Sequence, residues 1–153
     1  MNALLTVGGD EGGFLDAGPA GWVFASHAAA FDAFETDPAA VAEQYLGAPY
    51  LWGGRDSLGL TARAWCSRRS TPAAAPARRD SDQQMAAFAP VEAAALARGD
   101  LVFWRGHVGM MLDADRLIHA NARHMAVAIE PLTEAVERIR AAGAGQPIGF
   151  RRP

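Results

Sequence analysis

The run Gly47-Ala48-Pro49-Tyr50-Leu51-Trp52-Gly53-Gly54, continued by Arg55-Asp56-Ser57-Leu58-Gly59-Leu60 and Thr61-Ala62-Arg63-Ala64-Trp65-Cys66-Ser67, joins the end of a helix to the only cysteine of the chain. The helix opens at Thr36-Asp37-Pro38, where Asp37 can cap free N–H groups and Pro38 suits the first helical position. Val41, Ala42, Tyr45 and Leu46 recur at helical spacing and give an apolar face, with Glu43 and Gln44 on the other side. Gly47 is placed to terminate the helix. Two aromatics, Tyr50 and Trp52, and the pair Gly53-Gly54 then make a tight turn.

Past this turn the character of the chain changes twice. Residues 57 to 79 hold five arginines (63, 68, 69, 78 and 79) and no acid. Pro72 and Pro76 interrupt any helix there, and no helical or strand period runs through the segment. A solvated or poorly folded loop is expected. From residue 99 onward the pattern is regular. Leu101 to Trp104, His107 to Leu112, Leu117 to Ala120 and Ala126 to Ile129 read as four strands, with Asp113-Ala114-Asp115 as a hairpin-like turn. Thr133 is placed to cap a helix over 134 to 142, ended by Gly143, and Pro147 to Arg152 reads as a closing edge strand. Helices first and an antiparallel sheet second predict an α+β domain with the helices packed on the sheet.

Several separated motifs carry a resemblance to a known family. They are Gly47 to Gly54, Arg79-Asp80-Ser81-Asp82-Gln83-Gln84, Gly99-Asp100-Leu101-Val102-Phe103-Trp104, Gly106-His107-Val108-Gly109-Met110 and Leu117-Ile118-His119-Ala120. In that order they resemble the signatures of the NlpC/P60 cysteine peptidases, over about residues 39 to 151. The resemblance implies a papain-like fold, no cofactor, a catalytic histidine at His107, a third polar residue at His119, and substrate-lining aromatics at Tyr50 and Trp52. Such chemistry needs a thiolate, a histidine beside it and a group that orients the histidine. If residues 113 to 115 form a three-residue turn, 112 pairs with 116 and 109 lies opposite 119. His107 and His119 are then diagonal neighbours on one face; a two-residue turn would separate them. His27 and His124 read as ordinary histidines, and the four histidines with Cys66 match no zinc spacing.

The nucleophile departs from the pattern. Counting from Gly53-Gly54, the family's Asp-Cys-Ser-Gly falls on Thr61-Ala62-Arg63-Ala64, and alanine cannot attack a carbonyl. Cys66 stands four residues late. The flanking motifs already have about the family separation, which leaves little room for an insertion. A shift of reading frame accounts for the substitution. The family motif Leu-Asp-Cys-Ser-Gly-Leu-Val-Gln can be written CTC GAC TGC TCG GGC CTG GTG CAG. Loss of the third base gives CTG ACT GCT CGG GCC TGG TGC AG, which reads Leu-Thr-Ala-Arg-Ala-Trp-Cys and the start of Ser, as in Leu60 to Ser67. Residues 61 to about 78 therefore read as an out-of-frame translation, with a compensating base change before Asp80. Cys66 is retained as a displaced candidate nucleophile.

Residues 1 to 35 alternate short apolar runs (Leu4 to Val7, Gly12 to Leu15, Gly21 to Phe24) with glycine, which predicts short strands. Gly21-Trp22-Val23 followed by Ala25-Ser26-His27 looks like the last strand of a bacterial SH3-type barrel, of which about half is present. The expected division is a partial SH3-like segment or N-terminal arm over 1–35 and an NlpC/P60-like peptidase domain over 36–153. The 153 residues suffice for one domain with a sizeable core. A net charge of −3, with all 14 basic residues arginine, gives no general pull towards nucleic acid. No apolar run approaches the roughly 18 residues of a membrane span. The first residues lack the basic n-region of a signal peptide, so the chain as written is expected in the cytoplasm, with export if translation starts upstream. One cysteine excludes an internal disulfide, and nothing specifies an oligomeric state.

The expected activity, implied by the resemblance, is hydrolysis of an amide bond in bacterial cell-wall stem peptides, of the γ-D-glutamyl to diamino-acid type. It is expected to be impaired in this chain by Ala62. The alternative is a catalytically inactive domain that binds peptidoglycan-derived peptides or a protein partner.

Overall fold

The computed structural model of the chain describes residues 5–30, 36–56, 59–61 and 81–153. Ala62, Cys66 and the rest of 62–80, where most of the expected out-of-frame segment falls, lie outside the described residues. The chain divides into two compact units, Met1–Phe34 and Glu35–Pro153.

The first unit is an antiparallel meander of β1 (Gly9–Glu11), β2 (Phe14–Asp16) and β3 (Trp22–Phe24). Gly12 and Gly13 link Glu11 to Phe14 with φ of 59° and 83°. A two-residue hairpin loop of this hand needs positive φ at both positions, which glycine supplies without steric cost. This turn sets the register back along the first strand, so the strand is Gly9–Glu11 and not the expected run ending at Val7. Phe14 and Phe24 face each other across β2 and β3 with ring centroids 5.2 Å apart.

The second unit opens with α1 (Pro38–Glu43). The Asp37 carboxylate accepts from the Ala39 N–H at 2.9 Å, and Pro38 occupies the first helical position. Arg98 also pairs with Asp37 at 2.8 Å, tying the helix start to the chain leading into the sheet. Ala39, Ala42 and Tyr45 are buried. The helix stops at Glu43, four residues before Gly47. Residues 44–47 continue as turns, Gly47 at φ 81°, and the Gly47 N–H donates to the Val127 carbonyl at 3.0 Å. Leaving the helix early swings Leu46 out to 55% exposure, so it does not join the apolar face expected of it.

The main sheet has six strands in the order β10-β9-β8-β7-β11-β6, all antiparallel. They are β6 (Ala89–Pro90), β7 (Leu101–Trp104), β8 (His107–Met111), β9 (Arg116–Asn121), β10 (Ala126–Pro131) and β11 (Gly149–Arg152). Helices α2 (Ser81–Ala87) and α3 (Leu132–Ala141) complete the unit, with a two-strand ribbon of β4 (Arg55–Asp56) and β5 (Gly59–Leu60). The closing strand is not an edge: β11 lies between β7 and β6, and the short β6 ending in Pro90 is the edge. Buried Asp100 holds β11 in place, accepting from Arg152 Nε at 2.8 Å and Nη2 at 2.7 Å and from the Ala97 N–H at 2.9 Å. Helix α3 starts at Leu132, directly off β10, and Thr133 does not cap it. The Leu132 N–H instead donates to the Asp115 carbonyl of the β8–β9 turn at 2.7 Å, so strand runs into helix without a capping side chain.

Side-chain alternation sorts the sheet into two buried faces. Leu101, Phe103, Val108, Met110, Ile118, Ala120 and Val127 pack with Ala39, Ala42 and Tyr45 of the first helical segment. Val102, Trp104, Met111 and Leu117 pack with Ala135 and Ile139 of α3.

The 47–61 loop is laced by backbone bonds: Leu51 N–H to Leu60 carbonyl at 3.0 Å, Leu60 N–H to Pro49 carbonyl at 2.9 Å, and Thr61 N–H to Gly54 carbonyl at 3.1 Å. The backbones approach so closely that a Cβ on Gly54 would lie 2.3 Å from the Gly59 carbonyl oxygen. Gly54→Ala is therefore expected to destabilise the second unit by about 1–3 kcal/mol, the usual cost of overpacking. Chemical denaturation checks this; an unchanged midpoint would show that the loop can relax freely.

Candidate active site

Met110 pairs with Ile118 and Met111 with Leu117, and the Leu112 N–H donates to the Arg116 carbonyl at 2.8 Å. This is the register that a three-residue turn over 113–115 requires. Asp113 holds that turn, its carboxylate accepting from the Asp115 and Arg116 N–H groups at 3.0 and 2.8 Å. Gly109 consequently lies opposite His119, where a Cβ would come within 2.3 Å of Leu117 Cδ1 and 3.6 Å of His119 Cβ. The absence of a side chain at Gly109 leaves that place to the Leu117 side chain, beside the His119 Cβ.

His107 Nε2 and His119 Nδ1 are 2.8 Å apart, with ring centroids at 5.0 Å. His119 is fully buried and its Nε2 meets Glu130 Oε1 at 2.5 Å. The same oxygen accepts from Arg138 Nη2 on α3. Four side chains from β8, β9, β10 and α3 thus form one row: His107, His119, Glu130, Arg138. The row lies on the α3 face, since His119 alternates with Leu117. The Trp104 ring stands beside it, 5.7 Å from the His107 ring.

Burial dominates the charge states. It lowers His107 to about 3, helped by repulsion from Arg138 and from His119 whenever that ring is protonated, and opposed by Glu130. Burial likewise holds His119 below the ordinary imidazole range, against the pull of Glu130. Burial would raise the Glu130 carboxyl, but hydrogen bonds from His119 and Arg138 outweigh it and bring the group down to about 2. At neutral pH the row therefore holds two neutral imidazoles and an ionised carboxylate. A neutral imidazole with a free ring nitrogen can act as a general base.

Tyr50 sits in the 47–61 loop, its N–H donating to the Met125 carbonyl at 2.9 Å, while Pro49 bridges Ala126 and Tyr50 bridges Leu60. Its side chain packs with the first core cluster and is half-buried, and Trp52 is 74% exposed. The loop and the imidazole row are thus carried on separate elements. His124 hydrogen bonds to Asn121 Oδ1 at 3.0 Å and is not part of the row, and His27 lies in the first unit against Phe24. Among the described residues no group of three or more His, Cys, Asp or Glu is arranged to hold a metal ion, and no helix is long and apolar enough to cross a membrane.

Glu130 and Arg138 are absent from the sequence-based expectations. The available signal was a single acid at the end of the apolar run Ala126 to Ile129, on the same strand face as Ala128, the residue paired with His119.

Residues 47–144 match the NlpC/P60 family. A dipeptidyl-peptidase 6 from Lysinibacillus sphaericus is 28% identical over 113 residues, which cover 72% of this chain and 41% of the relative. The crystal structure of an NlpC/P60 family protein from Bacillus cereus superposes with a TM-score of 0.74 at 22% identity, covering 97% of this chain and 53% of that one. The peptidoglycan hydrolase RipB from Mycobacterium tuberculosis gives a TM-score of 0.58 at 23% identity over 75% of this chain and 62% of its own. The chain thus spans about half of the length of the first two relatives. The observed helices on an antiparallel sheet are the fold of these structures.

The depressed imidazoles have a consequence for acid stability. The unfolded chain binds a proton on His107 near 6.5, the folded chain near 3. Stability is therefore full above about 6.5 and is lost as pH falls towards 3. Denaturation midpoints should decline across that window, and His107→Gln should shallow the decline. Equal slopes in the two proteins would show that His107 does not titrate as its burial demands.

Proposed function

We propose, since this chain belongs to the NlpC/P60 family, that its second unit is a cysteine-peptidase domain whose base half is intact and whose nucleophile has been replaced. In the intact reaction His107 takes the thiol proton, the thiolate attacks the amide carbonyl carbon, and the protonated His107 returns the proton to the departing amine. Water, deprotonated by His107, then releases the acyl group from the thioester. His119 orients His107. Tyr50 and Trp52 line the approach of the substrate. The observation that carries this reading is the 2.8 Å contact between His107 and His119, made by side chains that the strand register brings onto one face.

The substrate class we propose is the stem peptide of bacterial cell wall, cut at a γ-D-glutamyl to diamino-acid bond. The peptidase and peptidoglycan hydrolase among the relatives support it. On the same reading residues 1–35 are a partial SH3-like segment ahead of a peptidase domain at 36–153, which the three short antiparallel strands support. Ala62 at the nucleophile position favours a second reading, in which the chain binds cell-wall peptides or a protein partner without cleaving them. An out-of-frame segment over residues 61 to about 78 accounts for Ala62, the displaced Cys66 and the run of arginines together. The nucleotide sequence over codons 58 to 82 would then carry a one-base deletion and a compensating insertion.

The chain as it stands should show negligible turnover of a stem-peptide substrate, since loss of a nucleophile costs several orders of magnitude. Turnover that disappears in Cys66→Ala would overturn this and make Cys66 the nucleophile. Replacing residues 61–78 with an in-frame segment beginning Asp-Cys-Ser-Gly-Leu should bring thiol-dependent hydrolysis. If it brings none while the chain still binds stem peptide, the binding reading replaces the catalytic one.

A further inference from the structure

We infer that Glu130, clamped by Arg138, is a positioning residue that fixes where the protons sit on His119 and, through it, on His107. The use of that arrangement rests on the peptidase reading; the arrangement itself does not. An ionised carboxylate can only accept hydrogen bonds. Glu130 Oε1, buried and 2.5 Å from His119 Nε2, therefore requires a proton on that nitrogen. The other tautomer would set a ring lone pair against a carboxylate oxygen. A neutral His119 carrying its proton on Nε2 has only a lone pair at Nδ1, so the 2.8 Å contact obliges His107 to donate from its own Nε2. His107 is then left with a basic Nδ1. One carboxylate thus decides which nitrogen of a ring two side chains away is the base.

Arg138 has a distinct part in this. The groups facing His119 are His107 from β8, Glu130 from β10, Arg138 from α3 and, at longer range, His124 from the β9–β10 turn. A buried carboxylate without a counter-charge would draw a second proton onto His119. An imidazolium there would donate from both nitrogens, and His107 Nε2 would have to become an acceptor. The neutral His107 would then carry its proton on Nδ1 and lose its base. Arg138 binds the same Oε1 as His119 and offsets the carboxylate charge, so the orienting hydrogen bond forms without that second proton.

Imidazole nitrogen NMR on the full-length protein tests this without needing turnover. In the parent chain both His107 and His119 should show the Nε2–H form at neutral pH. Glu130→Leu removes the acceptor, and His119 should lose its single tautomer and His107 with it. Glu130→Gln keeps an oxygen acceptor and should restore the Nε2–H form. Arg138→Gln should raise the His119 titration midpoint by about one pH unit, a tenfold change in proton affinity. Unaltered ring signals in a folded Glu130→Leu, or an unmoved midpoint in Arg138→Gln, would overturn the inference. If Glu130→Leu does not fold, the Arg138→Gln titration decides. Hydrolysis by the chain with residues 61–78 replaced is a separate readout. Its failure with the ring signals as expected removes the peptidase reading alone, and its success with unmoved rings removes the role of Glu130 alone.

Discussion

A buried carboxylate that must remain charged is the constraint around which the second unit is arranged. Removing an ionised group from water is costly unless it is paired and hydrogen bonded. Glu130 receives both kinds of partner on one oxygen, from His119 on the neighbouring strand and from Arg138 on the helix that follows. Strand β10 runs into α3 with no intervening loop, which brings Arg138 back over the strand that carries Glu130. The turn at 113–115 contributes at both ends. It sets the register that puts His119 opposite Gly109, and its Asp115 carbonyl receives the first N–H of α3.

The proposed site draws its residues from several elements of the second unit. The sheet and α3 supply the imidazoles, the carboxylate and the arginine. The glycine-rich loop supplies Tyr50 and Trp52 and is fastened to the start of β10 through Met125, Ala126 and Val127. On the proposed reading, a change confined to 61–78 removes a reacting group while the base half persists.

Much of this was legible in the residues. Strands β7 to β10 follow from apolar runs bounded by turn residues, while the short β6 was not foreseen, and the meeting of His107 and His119 follows from counting back from a three-residue turn. Asp37 and Pro38 announced the start of α1. The failures are instructive because each came from a tertiary contact overriding a local signal. Gly47 has the conformation of a helix terminator, but its N–H is taken by Val127 and the helix ends earlier. Thr133 has a capping side chain, yet the Asp115 carbonyl receives the first N–H of the helix instead. Pro147 to Arg152 reads as an edge because of its proline, whereas the Asp100–Arg152 pair seats β11 inside the sheet. Glu130 and Arg138 gave no helical or strand period of their own. An acid and an arginine eight residues apart look like surface residues until the strand pairing and the helix position are known.

Neutron diffraction on deuterium-exchanged crystals near neutral pH would test the account at its centre, because it locates the protons directly. Deuterium should appear on Nε2 of His119 and on Nε2 of His107, with none on His107 Nδ1 and none on Glu130. Deuterium on Nδ1 of His107, a doubly protonated His119, or a protonated Glu130 would contradict it.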